Sequence, residues 1–392
     1  MSALSVRELS IAIGGRILVD GVSFDVAPGE CVAIVGESGA GKSLTASALL
    51  GLAPGTVRTS ALTVDGVDAR RFTQAQWRRV RGARIGLVSQ DALVSLDPLR
   101  RIGAEVAEPL AIHTRLSRAA RQERALELLE SVVVPDPATR AEQYPHELSG
   151  GLRQRALIAS ALAGEPAVLV ADEPTTALDA TVQARVLALL RDIADAGTAV
   201  VFISHDFAAV RRVADRVLVM RAGRVIEQGT VSAVLDAPEE EYTRELIAAT
   251  AHEPRRRSLS PSKRRVGDAV LTGIGVSKSF AGVPAVTDAS FTLLEGQTLG
   301  IVGESGSGKT TLARMIVGVE KPDAGDLRWA STEHGRAYRV QLVHQNPLGA
   351  FDPRWTIGRS LREALAAGQV PRVQRAARVA ELLAEVELDP RL

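Results

Sequence analysis

An α/β fold with parallel strands covered by helices, laid down twice in one chain, is what this sequence predicts. Three observations lead there. A glycine-rich segment occurs twice, as Gly36-Glu-Ser38-Gly39-Ala-Gly41-Lys42-Ser43 and as Gly303-Glu-Ser305-Gly306-Ser-Gly308-Lys309-Thr310. Each copy follows an apolar, strand-like run (Val32–Val35, Leu299–Val302) and opens a helix-like run (Leu44–Leu52, Thr311–Val319). Further landmarks repeat downstream: Gln90 with Gln345, Asp97-Pro98 with Asp352-Pro353 and Ile102-Gly103 with Ile357-Gly358, all 255 residues apart, against 267 between Lys42 and Lys309. The second half is therefore 12 residues shorter (267 minus 255) between its loop and its glutamine. A repeat of this length is a duplicated domain, not a solenoid.

The elements follow in order. Ser2–Val26 alternates polar and apolar residues and predicts antiparallel strands. Strand-like runs continue at Val32–Val35, Ile85–Val88, Val168–Ala171, Ala199–Ile203 and Val217–Met220. Helical patterns lie between them, such as Arg118–Val133 behind Ser117 as N-cap. Strands alternating with helices favour a parallel sheet. Three spans result: 1–250, a first domain with a C-terminal extension; 251–268, a basic flexible linker; and 269–392, a second domain. The linker carries Arg255-Arg-Arg257 and Lys263-Arg-Arg265 around Ser-Leu-Ser-Pro-Ser, without apolar periodicity. Such a segment reads as solvated chain, with a contact to RNA or anionic lipid as the sharper reading.

Composition narrows the classes. The 392 residues hold 47 basic and 46 acidic side chains, a balance that argues against a nucleic-acid partner. The single cysteine, Cys31, excludes an internal disulfide and a cysteine-ligated cluster, and its place at a strand start predicts a small core hydrophobe. Arg7 and Glu8 near the N-terminus leave no apolar core for a signal peptide. The most apolar stretch, Ala156–Ala171, is broken by Glu165-Pro166 and is too short to span a bilayer. A soluble, cytoplasmic chain is expected, with any membrane role carried by a partner.

The glycine loops carry phosphate chemistry. Glycines free the backbone N–H groups to wrap a triphosphate, the lysine reaches the β/γ-phosphates, and the following hydroxyl holds Mg²⁺. The first cradle is Gly36, Ser38, Gly39, Gly41, Lys42, Ser43 and Leu44; the second is Gly303, Ser305, Gly306, Gly308, Lys309, Thr310 and Thr311. Val168-Leu-Val-Ala-Asp172-Glu173 is an apolar strand that delivers two acids to a sheet edge, the first suited to the Mg²⁺ shell and the second to polarising a water. Without the preceding loop the pair reads as an ordinary helix cap. Leu148-Ser149-Gly150-Gly151 opens another helix and forms a second anion cradle, one without a lysine.

These motifs, with Gln90, Ala177-Leu-Asp179 and Ile203-Ser-His205-Asp206, come in an order and spacing that resembles the ATP-binding cassette (ABC) superfamily. The resemblance implies a P-loop NTPase fold: a RecA-like core, an antiparallel β subdomain and a helical signature subdomain, duplicated. It implies two cassettes closing head to tail, with each nucleotide between one glycine loop and the opposite Ser-Gly-Gly. In that scheme Glu173 is the catalytic base, His205 the switch histidine, and Gln90 and Gln345 are the water and Mg²⁺ sensors that contact membrane subunits. The metal set becomes Ser43, Gln90, Asp172, Thr310 and Gln345, and Asp179 links the two sites. Outside such an order, a lone histidine after a buried strand is usually structural.

Finer features resemble the oligopeptide/dipeptide/nickel importer ATPases: Tyr144-Pro-His-Glu-Leu-Ser-Gly-Gly, the Asp-Pro loops ending at Pro98 and Pro353, and Glu241-Tyr-Thr-Arg-Glu-Leu246. The resemblance implies a peripheral ATPase at the cytoplasmic face of the membrane. It would use ATP and Mg²⁺ and drive uptake of peptides or similar small solutes through integral permease subunits. A solute-binding protein would feed them, and a second cassette would pair in cis or in trans. The rival readings are a soluble tandem cassette acting on ribosomes or nucleic acid, and a non-hydrolysing regulator.

Two departures stand out. The family stacks adenine on an aromatic residue ahead of the loop. Phe280, 29 residues before Lys309, fits that role, with plain core as its other reading; the same offset before Lys42 gives Ile13. The second half also reaches no Ser-Gly-Gly, Asp-Glu strand or switch histidine by Leu392. That predicts either a piece of a longer fused ATPase or a truncated product, with slow hydrolysis by these residues alone.

Overall fold

The computed structural model describes residues 2–89, 95–175, 178, 180–250, 267–280, 282–303, 306–330, 340–344 and 351–389. The chain divides into two compact units, Met1–Arg264 with Ile301–Ser307, and Arg265–Gly300 with Gly308–Leu392.

In the first unit, β1 (Leu4–Ile13) and β2 (Arg16–Val26) form the expected antiparallel hairpin. Next come β3 (Cys31–Val35), α1 (Lys42–Leu49), β4 (Thr56–Arg58), β5 (Ala61–Val64), β6 (Val67–Asp68), α2 (Gln74–Val80) and β7 (Ile85–Val88). A helical layer follows: α3 (Ile102–His113), α4 (Arg118–Ser131), α5 (Pro137–Ala141) and α6 (Gly150–Leu162). The unit ends with β8 (Val168–Asp172), α7 (Ala180–Asp195), β9 (Ala199–Ile203), α8 (Phe207–Val213), β10 (Arg216–Arg221), β11 (Arg224–Thr230), α9 (Val231–Asp236) and α10 (Glu241–Thr250).

The main sheet has the order β11-β10-β3-β9-β8-β7. All its pairings are parallel except β10 with β11, an antiparallel edge strand that the sequence reading missed. Parallel sheets are covered on both faces, so their strands read as continuous apolar runs. All five residues of β3 and of β9 are buried. Alternate side chains feed two cores. Cys31, Ala33, Val35 and Phe202 join the helices on one side, while Val32, Ile34, Val201 and Ile203 join α1 and the β1–β5 sheet on the other. Burial pushes the Cys31 thiol far above its ordinary range.

Several expected boundaries shift for local reasons. α1 starts at Lys42 and ends at Leu49, because Gly51 turns back with φ +63° against the Trp77 ring. α4 is capped by Ser117 as expected but stops at Ser131, before Val133 adopts φ +60°. α6 begins at Gly150, so the Ser-Gly-Gly turn itself opens the helix as expected, with Ser149 capping it by accepting from Leu152 N.

The second unit holds β12 (Ala269–Phe280), β13 (Val283–Leu294), α11 (Lys309–Ile316), β14 (Ala324–Trp329), α12 (Ile357–Ala367) and α13 (Arg375–Glu385). Its sheet has the order β13-β12-β14, and Leu312 and Met315 of α11 pack on Val276. The expected strand at Leu299–Val302 is not a strand, and Val302 is 93% exposed. β3, its counterpart, is held between β9 and β10. The matching part of the second repeat is not among these 392 residues.

The two hairpins repeat in detail. Glu8 and Gly21 sit at φ +52° and +68°; Gly275 and Asp288, each 267 residues on, sit at +60° and +50°. Their N–H groups donate to Ser23, Ser10, Ser290 and Ser277 Oγ respectively, at 2.8–3.1 Å. Both hairpins thus carry the same paired bulge, locked by serine hydroxyls.

Phe202 is fully buried in a central strand. Phe202→Ala should lower the stability of the first unit by about 3–5 kcal/mol, read as an earlier urea transition of the main sheet.

Candidate functional site

The C-terminal ends of β3, β9 and β8 are neighbours in the sheet, and the motif residues lie just beyond them. β3 runs into Gly36, whose added Cβ would lie 2.3 Å from the Met220 carbonyl at the end of β10. No other residue fits that approach, and its φ of +150° also favours glycine. Gly39 and Gly41 follow at φ +84° and +99°, turning the loop into α1.

Lys42 is buried, with 7% exposure, and its ammonium donates to the carbonyls of Gly36 (2.8 Å) and Glu37 (2.9 Å). Burial pushes its pKa below the ordinary lysine range, against the pull of Glu173 and Asp172. Ser43, exposed at the loop mouth, donates to Asp172 Oδ1 at 3.2 Å. Burial raises the Asp172 pKa, the Ser43 hydrogen bond opposes that, and neighbouring Glu173 adds to it. Ser38 is exposed on the loop and Leu44 is half-buried in the first turn of α1.

Glu173 has φ +47°, a strained value for a residue with a side chain, and its N–H is tied to Ile203 O at 3.0 Å. Its carboxylate lies 3.2 Å from His205 Nδ1. The glutamate side chain is mostly buried and the imidazole is 65% exposed. Asp206 caps α8 through Ala208 and Ala209 N–H, and Gln183 of α7 donates to it at 2.8 Å. Gln183 is absent from the motif reading; no local sequence signal marks it, because the contact is made only in the fold.

The Ser-Gly-Gly turn lies at the start of α6. Gly150 is exposed, with nothing within 4 Å of a would-be Cβ, whereas Gly151 packs on Val182 of α7 with 2.6 Å available. One glycine is thus open to a ligand and the other is required by packing. Gln90, Gln345, Ser305 and Asp179 lie outside the described residues.

The second loop repeats the first locally. Gly303, Gly306 and Gly308 take φ +158°, +83° and +87°, and Lys309 opens α11. Gly308 abuts Ala285 O and Val286 Cγ2 as Gly41 abuts Leu18 O and Val19 Cγ2. Thr310 is exposed and Thr311 half-buried at the start of α11. Ile13 faces Arg16 where the first hairpin closes, and Phe280 faces Val283 where the second does, so the two occupy equivalent places. Phe280 is 46% exposed, not core, with the Lys278 ammonium 5.5 Å from its ring centre.

A buried lysine in a glycine loop, a Ser–Asp pair at its mouth and a Glu–His pair beside them define a P-loop nucleoside triphosphatase. The ABC transporter family pattern matches residues 19–176 and 286–391. The chain is 41% identical over 411 residues to the peptidoglycan transport ATP-binding protein YejF of Agrobacterium fabrum, an alignment spanning 99% of this chain and 75% of that one. It is 38% identical over 444 residues to the glutathione import ATP-binding protein GsiA of Escherichia coli K12, spanning 99% and 71%. Among solved structures, the dimeric ATP-binding cassette MJ0796 in a post-hydrolysis state with ADP and Pi aligns with a TM-score of 0.53 and 28% identity, over 58% of this chain and 98% of that one. The chain belongs to the ABC transporter family and is an ATP-binding, ATP-hydrolysing cassette protein.

The two glycines of the turn should separate in a stability measurement. Gly150→Ala leaves the melting temperature near or slightly above wild type, as alanine favours helix. Gly151→Ala drives a methyl into Val182 and lowers stability by about 1–3 kcal/mol. Thermal unfolding followed by circular dichroism checks both.

Proposed function

We propose that this chain is the ATP-driven subunit of an importer for peptides or similar small solutes, acting through separate membrane permease subunits. The observation that carries the chemistry is the convergence of Lys42, Ser43–Asp172 and Glu173–His205 at the ends of three adjacent strands. Support for import of peptide-like solutes comes from relatives named for peptidoglycan transport and glutathione import. Among the described residues no helix is long and apolar enough to cross a membrane. We assign the translocation path to partners because the relatives are named as ATP-binding proteins of transport and import systems. We place the chain at the cytoplasmic face, with permease subunits and, through them, a solute-binding protein.

In this reading the loop N–H groups and Lys42 hold the β/γ-phosphates. Ser43 Oγ and Asp172 Oδ1, 3.2 Å apart, are hard oxygen donors that suit Mg²⁺, an ion that fills its remaining positions with phosphate and water. Glu173 takes the proton from the attacking water, and His205 orients its carboxylate. Gly150, open on its outer side, faces the nucleotide of a second cassette. Domain boundaries near 250 and 269 separate the two cassettes, with a basic linker between them. The Gln90 and Gln345 segments are assigned to the permease contact and to the water and Mg²⁺ sites.

Lys42→Ala should weaken ATP binding at the first loop. Glu173→Gln should keep binding while slowing phosphate release at that site by about 10²–10⁴-fold. Unchanged turnover in Glu173→Gln would remove it as the base. Deleting the gene should abolish uptake of labelled small peptides; full uptake in the deletion strain would sink the importer reading.

The loops should also be unequal. Base–aromatic stacking is worth about 1–3 kcal/mol, and Phe280 offers a ring where Ile13 does not. ATP is expected to favour the Lys309 loop, and Ile13→Tyr to tighten the first. Crosslinking of an adenine-modified ATP mainly at Ile13 would contradict this.

A further inference from the structure

Tyr242, in α10, lies outside every motif that carries phosphate chemistry, yet its side chain reaches the phosphate loop. It is buried, with 6% exposure, and its hydroxyl accepts from Glu37 N at 3.4 Å. The N–H of Glu37 and the carbonyl of Gly36 belong to one planar peptide group. That carbonyl accepts from Lys42 Nζ at 2.8 Å. Tyr242 and Lys42 therefore hold opposite ends of the same peptide. Gly36 precedes it at φ +150°, a residue whose backbone resists rotation less than any other. The tyrosine is itself held in place: the Arg221 guanidinium lies 4.5 Å from its ring centre, one residue after Met220, whose carbonyl abuts Gly36.

We propose that Tyr242 is a positioning residue for the first nucleotide site. Its hydroxyl fixes the Gly36–Glu37 peptide so that the Gly36 carbonyl aims the Lys42 ammonium into the cradle. The helix that follows the cassette thus sets the geometry of the loop at its beginning, 205 residues earlier in the chain. The inference rests on the reading of Lys42 as the phosphate ligand.

The test uses the full chain in a Lys309→Ala background, so that only the first loop is titrated. Wild type at the other positions, Tyr242→Phe, Tyr242→Ala and Lys42→Ala are compared by calorimetric titration with MgATP, by amide exchange of the peptide spanning Glu37, and by thermal unfolding. Tyr242→Phe keeps the ring and the Arg221 contact and removes one hydrogen bond. It should unfold as the parent does, exchange the Glu37 amide faster, and bind MgATP about three- to tenfold more weakly. Tyr242→Ala should add a loss of thermal stability. A purely structural tyrosine gives the opposite pattern: Tyr242→Phe silent in binding and exchange, with only Tyr242→Ala impaired. That result, with Lys42→Ala still defective, overturns the inference and spares the nucleotide reading. Intact binding in Lys42→Ala instead overturns the nucleotide reading on which the inference stands.

Discussion

Burial of β3 on both faces is the constraint from which the rest follows. A strand covered on two sides carries no polar side chain, so Cys31–Val35 is wholly apolar and cannot itself bear chemistry. Chemistry is displaced to the point where the strand ends and the chain must turn. There the Met220 carbonyl leaves room only for glycine at position 36. The neighbouring strands β8 and β9 face the same demand and likewise deliver their acids and histidine just past their last buried residue. The layered sheet is therefore what gathers residues 42, 172, 173 and 205 from distant parts of the chain.

Much of this was legible in advance because the physics is local. Five parallel strands were readable as apolar runs, and Ser117 as a cap, since each depends on its own few residues. The glycine loops were readable because positive φ and close approach both demand glycine. Contacts between remote segments were not. Nothing near Gln183 announces Asp206, and nothing near Tyr242 announces Glu37. β11 escaped because an edge strand, exposed on one side, has no apolar run. Leu299–Val302 looked like a strand and is not one, because pairing is a property of neighbours and not of the segment.

The duplication is deeper in backbone than in side chains. Glu8 and Gly275 share a left-handed conformation although one is acidic and the other glycine, and Gly21 and Asp288 reverse the pattern. What persists is the serine that receives each strained N–H. The hydrogen bond offsets the strain, so either residue type serves, and sequence identity understates how closely the hairpins agree.

Cys31 lies at the head of the central strand, fully buried, with its thiol held protonated by its surroundings. It is the chain's only cysteine. The folded protein is thus expected to react slowly with maleimides and other thiol reagents without any engineering. A cysteine placed at Gly150 or beside Phe280 would be the sole reactive thiol, so a single fluorophore or spin label could report on that position in otherwise native protein.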